Sequence, residues 1–151
     1  MSILQPELPE ARVLDLFAGS GALGLEALSR GAVFADMVDI SPASLRAIRA
    51  NAESLGALEQ VALHREDAIR FVQKLAPYTY DIAFADPPYR LGLAQRLADV
   101  WQHTPFARLL GIEHDAHEPL PGGDTRIYGS TAITLYRCDP AEEATDAPVE
   151  T

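Results

Sequence analysis

The apolar residues of this chain follow two patterns in turn, short continuous runs and longer stretches with helical spacing. Continuous runs bounded by turn residues favour buried strands, and the helical spacing favours helices that bury one face. Strands are predicted at residues 12–17, 33–39, 61–64, 80–85 and 107–113, and helices at 22–30, 42–55, 68–76 and 91–103. This alternation favours right-handed crossovers, and so predicts a doubly wound α/β fold with a mostly parallel sheet and helices on both faces.

The last part of the chain departs from this alternation. Two short β segments, 125–128 and 131–137, are separated only by Gly129 and Ser130, which is typical of a hairpin. A terminal hairpin would add an antiparallel C-terminal strand to the otherwise parallel sheet.

Composition is that of one globular domain, with 151 residues of which 48% are hydrophobic. We expect a leader over residues 1–11, one domain over 12–138 and an acidic, disordered tail over 139–151. The single cysteine, Cys138, excludes an internal disulfide, and no apolar run approaches the roughly 20 residues of a membrane helix. These features predict a cytoplasmic protein. The net charge of −10 argues against broad, non-specific attraction to nucleic acid.

The most specific local motif joins the first strand to the first helix. It reads Asp15-Leu-Phe-Ala-Gly19-Ser-Gly21-Ala-Leu-Gly24. Glycines at such a turn let the backbone approach a ligand closely. Asp39 follows Gly19 by twenty residues, at the predicted carboxyl end of the second strand, where a carboxylate can accept hydrogen bonds from both hydroxyls of a ribose. The spacing predicts a nucleoside-containing ligand rather than a turn that only packs a helix on a strand.

The same glycines satisfy the fingerprint of nicotinamide-dependent oxidoreductases, and two features argue against that class. Asp15 lies inside the first strand, where a nearby pyrophosphate would favour an apolar residue. An acid there suits a ligand with a cationic end, such as the ammonium and sulfonium groups of S-adenosylmethionine. In addition, the segment Asp86-Pro87-Pro88-Tyr89 has no purpose in hydride transfer.

The proline segment 86–89 is rigid, and this rigidity can serve a reaction. Each proline fixes its φ and restricts the residue before it, so the segment presents the Asp86 side chain and its carbonyl groups in one arrangement. Rigid acceptors can take both hydrogens of an exocyclic amino group and align its nitrogen with an activated methyl group. Tyr89 offers an aromatic face to a flipped base. The simpler alternative is a proline turn with a solvated aspartate.

Together these motifs resemble a known family. The segments at 15–31, 86–90 and 126–137 closely resemble the bacterial RsmD-type methyltransferases, which methylate the exocyclic N2 of a guanine in 16S ribosomal RNA. The resemblance covers roughly residues 11–137. It implies a class I, Rossmann-like methyltransferase sheet of seven strands with the last antiparallel, S-adenosylmethionine as cofactor, and 16S ribosomal RNA or the small ribosomal subunit as partner of a monomeric enzyme.

By position, the resemblance also implies roles for individual residues. Gly19 and Gly21 would line the cofactor site, Asp39 would hold the ribose, and Asp67 with Ala68 would meet the adenine. The full set expected at the cofactor is Asp15, Phe17, Gly19, Gly21, Asp39, Ile40, Asp67 and Ala68. The set expected to hold the target amine is Asp86, Pro87, Pro88 and Tyr89, and Tyr89 and Arg90 are expected to contact RNA.

Two alternatives stay open at this point. Members of the family usually carry a basic segment and a helix before the first strand, whereas about eleven residues precede that strand here. The chain could therefore bind cofactor without turnover. The other alternative is an amino methyltransferase that acts on DNA adenine or a protein amide.

The segment Glu113-His-Asp-Ala-His-Glu118 contains two histidines and could suggest a metal site. Two histidines without a third identified ligand are more typical of a solvated turn. We therefore predict no metal.

Overall fold

The computed structural model describes residues 6–140, which form a seven-stranded sheet covered by helices. The strands are β1 (Arg12–Leu16), β2 (Phe34–Asp39), β3 (Val61–Arg65), β4 (Tyr80–Ala85), β5 (Ala107–Asp115), β6 (Asp124–Tyr128) and β7 (Thr131–Arg137). The helices are α1 (Ala22–Ser29), α2 (Pro42–Ser54), α3 (Ala68–Gln73) and α4 (Leu93–His103), and a short 3₁₀ turn covers Leu58–Gln60.

The strand order across the sheet is β3-β2-β1-β4-β5-β7-β6. The first five of these strands are parallel, and β7 is antiparallel to both β5 and β6. This confirms the predicted doubly wound class and the C-terminal hairpin. Because the chain winds outward in one direction from β1 and in the other from β4, the crevice between the carboxyl ends of these two strands is the place where such sheets bind ligands.

Several element ends differ from the sequence prediction. The helix expected at 68–76 ends at Gln73, and the helix expected to begin at residue 91 begins at Leu93, after Gly92 in a left-handed conformation. The fifth strand continues to Asp115, because β7 pairs with it as far as that residue.

A hydrophobic core lies on each face of the sheet, as the alternation of side chains along a strand requires. The core under α1 and α2 includes Val13, Leu25, Met37, Ile48, Ile82, Phe84 and Leu109. The core under α3 and α4 includes Leu14, Leu16, Val38, Ile69, Leu97, Trp101, Leu110 and Ile112. The strands β1, β2, β4 and β5 each contribute to both cores, so the side chains near their carboxyl ends are divided between the two faces in a fixed order.

The segment before β1 packs against the domain. Leu8 is fully buried in the core under α1 and α2, and the backbone N–H of Glu10 donates to the carbonyl of Gly31. Residues 1–5 of the expected leader and 141–151 of the expected tail lie outside the described residues.

Cys138 is a free, half-buried thiol whose Sγ lies 3.2 Å from the hydroxyl of Tyr78. Between residues 6 and 140, no helix has both the length and the apolar character needed to cross a membrane.

A buried polar network ties β2, β3 and β4 together on the face covered by α3. The carboxylate of Asp36, which is buried, accepts a 2.8 Å hydrogen bond from the hydroxyl of Tyr80 and lies 2.8 Å from Nε2 of His64. Burial and this hydrogen bond raise the pKa of Tyr80 well above its ordinary value. These two partners offset the cost of burying the Asp36 carboxylate, which would otherwise strongly destabilise the fold.

We expect Tyr80→Phe to lower the free energy of unfolding by about 1–3 kcal/mol, because a buried carboxylate oxygen loses its donor. Urea denaturation followed by circular dichroism measures the change. Tyr128→Phe is the matched control, since Tyr128 is exposed on the edge strand β6. Equal stability of the two variants would contradict the importance of the network.

Candidate functional site

Four carboxylates lie along the carboxyl edge of adjacent strands. Asp39 ends β2, Asp15 lies near the end of β1, Asp86 follows β4 directly, and Glu113 is in the last part of β5. Each is an even number of residues beyond a member of the core under α1 and α2, so all four are directed to that face. The parallel pairing of these strands therefore forms an acidic face beside the crevice.

Asp15 is the most buried of the four, with only 2% of its surface exposed. Its Oδ2 accepts a 3.0 Å hydrogen bond from the backbone N–H of Gly24. Burial is the main cause that raises the pKa of Asp15 from 3.8 to about 7, and the nearby charges of Asp39 and Asp86 add to it, while the bond from Gly24 acts in the opposite direction. A cation placed beside Asp15 would stabilise its ionised form.

Asp39 fixes the turn that follows β1. Its Oδ2 accepts from the N–H of Gly19 at 2.9 Å and its Oδ1 accepts from the N–H of Ser41 at 2.8 Å. Since a carboxylate has about four acceptor positions, both oxygens retain capacity for a further donor. The two backbone bonds hold this carboxylate in one orientation beside the glycine turn.

Glycine is needed at the three positions of this turn for different physical reasons. Gly19 and Gly21 have φ angles of 59° and 80°, in the left-handed region that favours glycine. Open space surrounds the position of a Cβ on Gly19, so a ligand can approach the backbone there. A Cβ on Gly24 would lie 2.6 Å from Cε of Met37 and 3.2 Å from Oδ2 of Asp15, so this glycine allows α1 to pack closely on β1 and β2. Phe17 also has a positive φ, 58°.

The remaining residues expected at the cofactor lie on the neighbouring strand ends. Ile40, immediately after β2, is 67% exposed. Asp67 caps α3 by accepting the N–H of Arg70 at 2.9 Å, and Ala68 is buried at the start of that helix. The structure thus brings the cap of α3 and an exposed apolar side chain to the same edge as Asp39, because β2 and β3 are paired there.

The proline segment continues β4 beyond the sheet. Pro87 is buried, while Asp86, Pro88 and Tyr89 are exposed. The hydroxyl of Tyr89 lies 3.3 Å from Oγ1 of Thr131, at the start of β7, which ties the segment to the hairpin. Arg90 has a φ of 68°, an unusual conformation for a residue with a side chain, and it turns the chain toward α4.

Partial burial raises the pKa of Asp86 above its ordinary value of 3.8. A small cavity of about 60 Å³ adjoins the proline segment, with Pro87, Tyr89 and Leu93 in its wall.

The prediction of a solvated turn over residues 113–118 is wrong for one of its two histidines. His114 is only 3% exposed; its Nε2 lies 2.7 Å from Oγ1 of Thr134, and its Nδ1 lies 3.1 Å from the carbonyl oxygen of Glu118. His117 is exposed, as a solvated turn requires. His114 is buried because β5 is longer than predicted and carries it into the sheet. The described residues contain no group of three potential ligands that could hold a metal ion.

Glu113 is the site residue that the sequence reasoning missed. Ala85 of β4 pairs with Ile112 of β5. Asp86, which follows β4, and Glu113 of β5 are the residues that come directly after this pair. Burial raises the pKa of Glu113, and the negative charge of Asp86 raises it further. The available signal was that each carboxylate marks the end of an apolar run, with Asp86 directly after residues 80–85 and Glu113 as the last residue of 107–113.

Comparison with known proteins agrees with this geometry. A family described as conserved hypothetical protein 95 matches residues 1–137. The ribosomal RNA small subunit methyltransferase D of Escherichia coli is 33% identical over 151 residues, which cover 93% of this chain and 75% of that protein.

Two solved structures share the fold. One from Escherichia coli, described as a methyltransferase and designated yhhF, is 29% identical, has a TM-score of 0.78, and aligns over 90% of this chain and 80% of that one. An RNA methyltransferase of Salinibacter ruber in complex with S-adenosyl-L-homocysteine is 14% identical, with a TM-score of 0.70 and coverage of 90% and 87%.

The raised pKa of Asp15 predicts a pH-dependent stability. Folding favours the protonated form of Asp15, so its contribution to stability is complete below its unfolded pKa near 3.8 and is lost as the pH rises through about 7. Asp15→Asn keeps an acceptor for Gly24 and removes this dependence. We expect the variant to gain about 2–4 kcal/mol relative to the unchanged protein between pH 4 and pH 8.

Denaturant unfolding across that pH range measures the gain, with Asp124→Asn, an exposed aspartate on β6, as the control. If the difference in the free energy of unfolding between Asp15→Asn and the unchanged protein stays constant from pH 4 to pH 8, the prediction is wrong. Asp15 would then be ionised in both the folded and the unfolded state over this range.

Proposed function

The chain belongs to the RsmD family of ribosomal RNA small-subunit methyltransferases, and on that basis we propose that it transfers a methyl group from S-adenosylmethionine to the exocyclic N2 amine of a guanine in 16S ribosomal RNA. The observation that carries this proposal is the acidic face at the carboxyl edge. There the glycine turn, Asp15 and Asp39 lie directly beside the rigid segment that begins at Asp86.

The residues present fit a cationic nucleoside cofactor. Asp15 is a buried carboxylate whose pKa is raised to about 7, and a positive group nearby would relieve the cost of its ionisation. Asp39 is already oriented by two backbone N–H groups and can accept from ribose hydroxyls. Ile40 offers an exposed apolar surface beside it, suited to the face of an adenine. When bound, S-adenosylmethionine supplies a methyl group on a cationic sulfonium.

The proline segment would hold the other reactant. Asp86 accepts hydrogens of the target amine, and Tyr89, fixed through its contact with Thr131, stacks on the base. With S-adenosylmethionine bound, the segment would align the amine nitrogen for transfer of the methyl group, and the nitrogen would release one proton to solvent. Asp86 and the segment contribute chiefly by alignment, which can account for a large part of a rate enhancement. Arg90 is exposed next to this segment and would contact the RNA.

The deciding experiment is one assay of labelled methyl transfer with undermethylated small ribosomal subunits, naked ribosomal RNA and DNA in parallel. Transfer to the subunits or the RNA, followed by identification of N2-methylguanosine after digestion, supports the proposal. Transfer to DNA alone favours an adenine methyltransferase. Cofactor binding without transfer to any substrate favours a module without turnover.

The ribose role of Asp39 predicts weaker cofactor binding in a variant. Asp39→Ala removes a charged acceptor, so the affinity for S-adenosylmethionine should fall by about 10- to 150-fold. Calorimetry measures it, and Asp124→Ala on β6 is the control with the same loss of charge. An unchanged dissociation constant for Asp39→Ala would remove Asp39 from the cofactor site.

Catalysis and cofactor binding should separate at the proline segment. Asp86→Ala should leave cofactor affinity within about threefold and lower methyl transfer by a factor of roughly 100 or more, because alignment of the amine is lost. Tyr89→Ala should also raise the apparent KM for RNA, since it removes a stacking surface of about 1–3 kcal/mol. Single-turnover kinetics and calorimetry on the same preparations test both statements. Normal transfer by the two variants would refute the assignment.

A further inference from the structure

Two of the four site carboxylates have no partner among the residues that the structure describes. The oxygens of Asp15 and Asp39 accept backbone N–H groups of the glycine turn. Within residues 6–140, by contrast, neither Asp86 nor Glu113 has a hydrogen-bond or ion-pair partner for its carboxylate. Glu113 is half-buried and Asp86 is exposed beside it, so the acceptor oxygens of both carboxylates are available to a ligand that brings hydrogen-bond donors.

The strand register brings the two carboxylates near each other, and the negative charge of Asp86 acts on Glu113. Ile82 pairs with Leu109 and Ala85 with Ile112, the last pair of the two strands, so Asp86 and Glu113 both come directly after this pair. Ile82 and Leu109 both lie in the core under α1 and α2, so the side chains four residues later are directed to that same face. Adjacent strands are about 4.8 Å apart, a spacing that lets two carboxylates contact one edge of a single base.

The chemistry of the bases discriminates between possible occupants. The Watson–Crick edge of guanine has two adjacent donor groups, the N1–H and the N2 amine. Adenine has an amine at C6 beside an N1 that only accepts. An ionised carboxylate is also only an acceptor, so a pair of carboxylates complements guanine and repels the N1 of adenine.

Building on the proposed function, we propose that Glu113 selects guanine, by accepting the N1–H hydrogen bond while Asp86 accepts from the N2 amine that is methylated. Glu113 is then a specificity-determining residue of the target-base site. The raised pKa values of Asp86 and Glu113 agree with this, because a donor edge compensates two negative charges that the free protein holds close together.

The test uses three oligoribonucleotides with identical uridine flanks and one central purine: guanine, 2-aminopurine or adenine. 2-Aminopurine keeps the amine at C2, replaces the N1–H donor by an acceptor and lacks the oxygen at C6. It therefore differs from guanine at the atom assigned to Glu113, and the Glu113 variant separates that effect from the loss of the oxygen. Its fluorescence reports binding directly, and the other two oligonucleotides are measured by competition, all in the presence of S-adenosylhomocysteine. We expect the unchanged protein to bind guanine about 5- to 150-fold more tightly than 2-aminopurine.

Glu113→Gln should reduce this preference to about threefold or less, because an amide can donate to the N1 acceptor of 2-aminopurine as well as accept from guanine. Glu59→Gln is the matched control, with the same chemical change in the turn before β3 at the opposite end of the sheet. It should keep the full preference. Thermal unfolding and affinity for S-adenosylhomocysteine confirm that each variant is folded.

Two outcomes overturn the inference. One is equal binding of guanine and 2-aminopurine by the unchanged protein, which decides the matter even if the glutamine variant does not fold. The other is an undiminished preference in folded Glu113→Gln. Failure of the unchanged protein to bind any of the three oligonucleotides, together with no methyl transfer to ribosomal subunits, contradicts the proposed function itself and is recognisable by that pattern.

Discussion

The burial of one carboxylate, Asp15, beside other carboxylates at one sheet edge is the constraint on which the rest of the site depends. Asp15 is almost completely buried, and Asp39 and Asp86 both make its ionisation less favourable. Isolated negative charges in such a place are costly, and the protein offsets only part of the cost with backbone N–H groups. A site of this kind binds a cation more strongly than a solvated acid would, because the ligand supplies the missing counter-charge.

The packing of α1 follows from the same constraint. The N–H of Gly24 can reach Asp15 only if the first turn of α1 lies directly against β1, and the absence of a side chain at Gly24 makes that approach possible. Met37 fills the space that remains. The glycine turn therefore serves two purposes, since it leaves an open backbone surface at Gly19 and brings a helix against a buried charge a few residues later.

Much of the fold could be predicted from the sequence because its elements are marked by local features. Helix stops, apolar runs and the two-residue turn at Gly129 are properties of neighbouring residues. Glu113 and His114 could not be placed in this way. Their environments depend on how far β7 pairs along β5 and on which residue of β4 faces which residue of β5, and neither register is set by local sequence.

The candidate site could be predicted from the sequence to a similar degree, and for the same reason. The glycine turn and the proline segment were found because their residues are contiguous. The influence of Asp86 on Glu113 and the contact of Tyr89 with Thr131 both join residues far apart in the chain. Their proximity is a property of the completed sheet, and the resemblance to a family could indicate the site without specifying these contacts.

The position of β7 has a consequence for the order in which the protein can be completed during synthesis. The last strand in the sequence is inserted between β5 and β6, so the hydrogen-bonding edge of β5 remains open until residues beyond Thr131 have left the ribosome. Until then Tyr89 lacks its hydroxyl partner, and the strand segment that carries Glu113 is unpaired on one side. The strands β1, β2 and β3 pair with one another and not with β7, so this half of the sheet can form earlier. The half of the site that we propose to bind the cofactor can thus form on the nascent chain before the half that we propose to hold the target base.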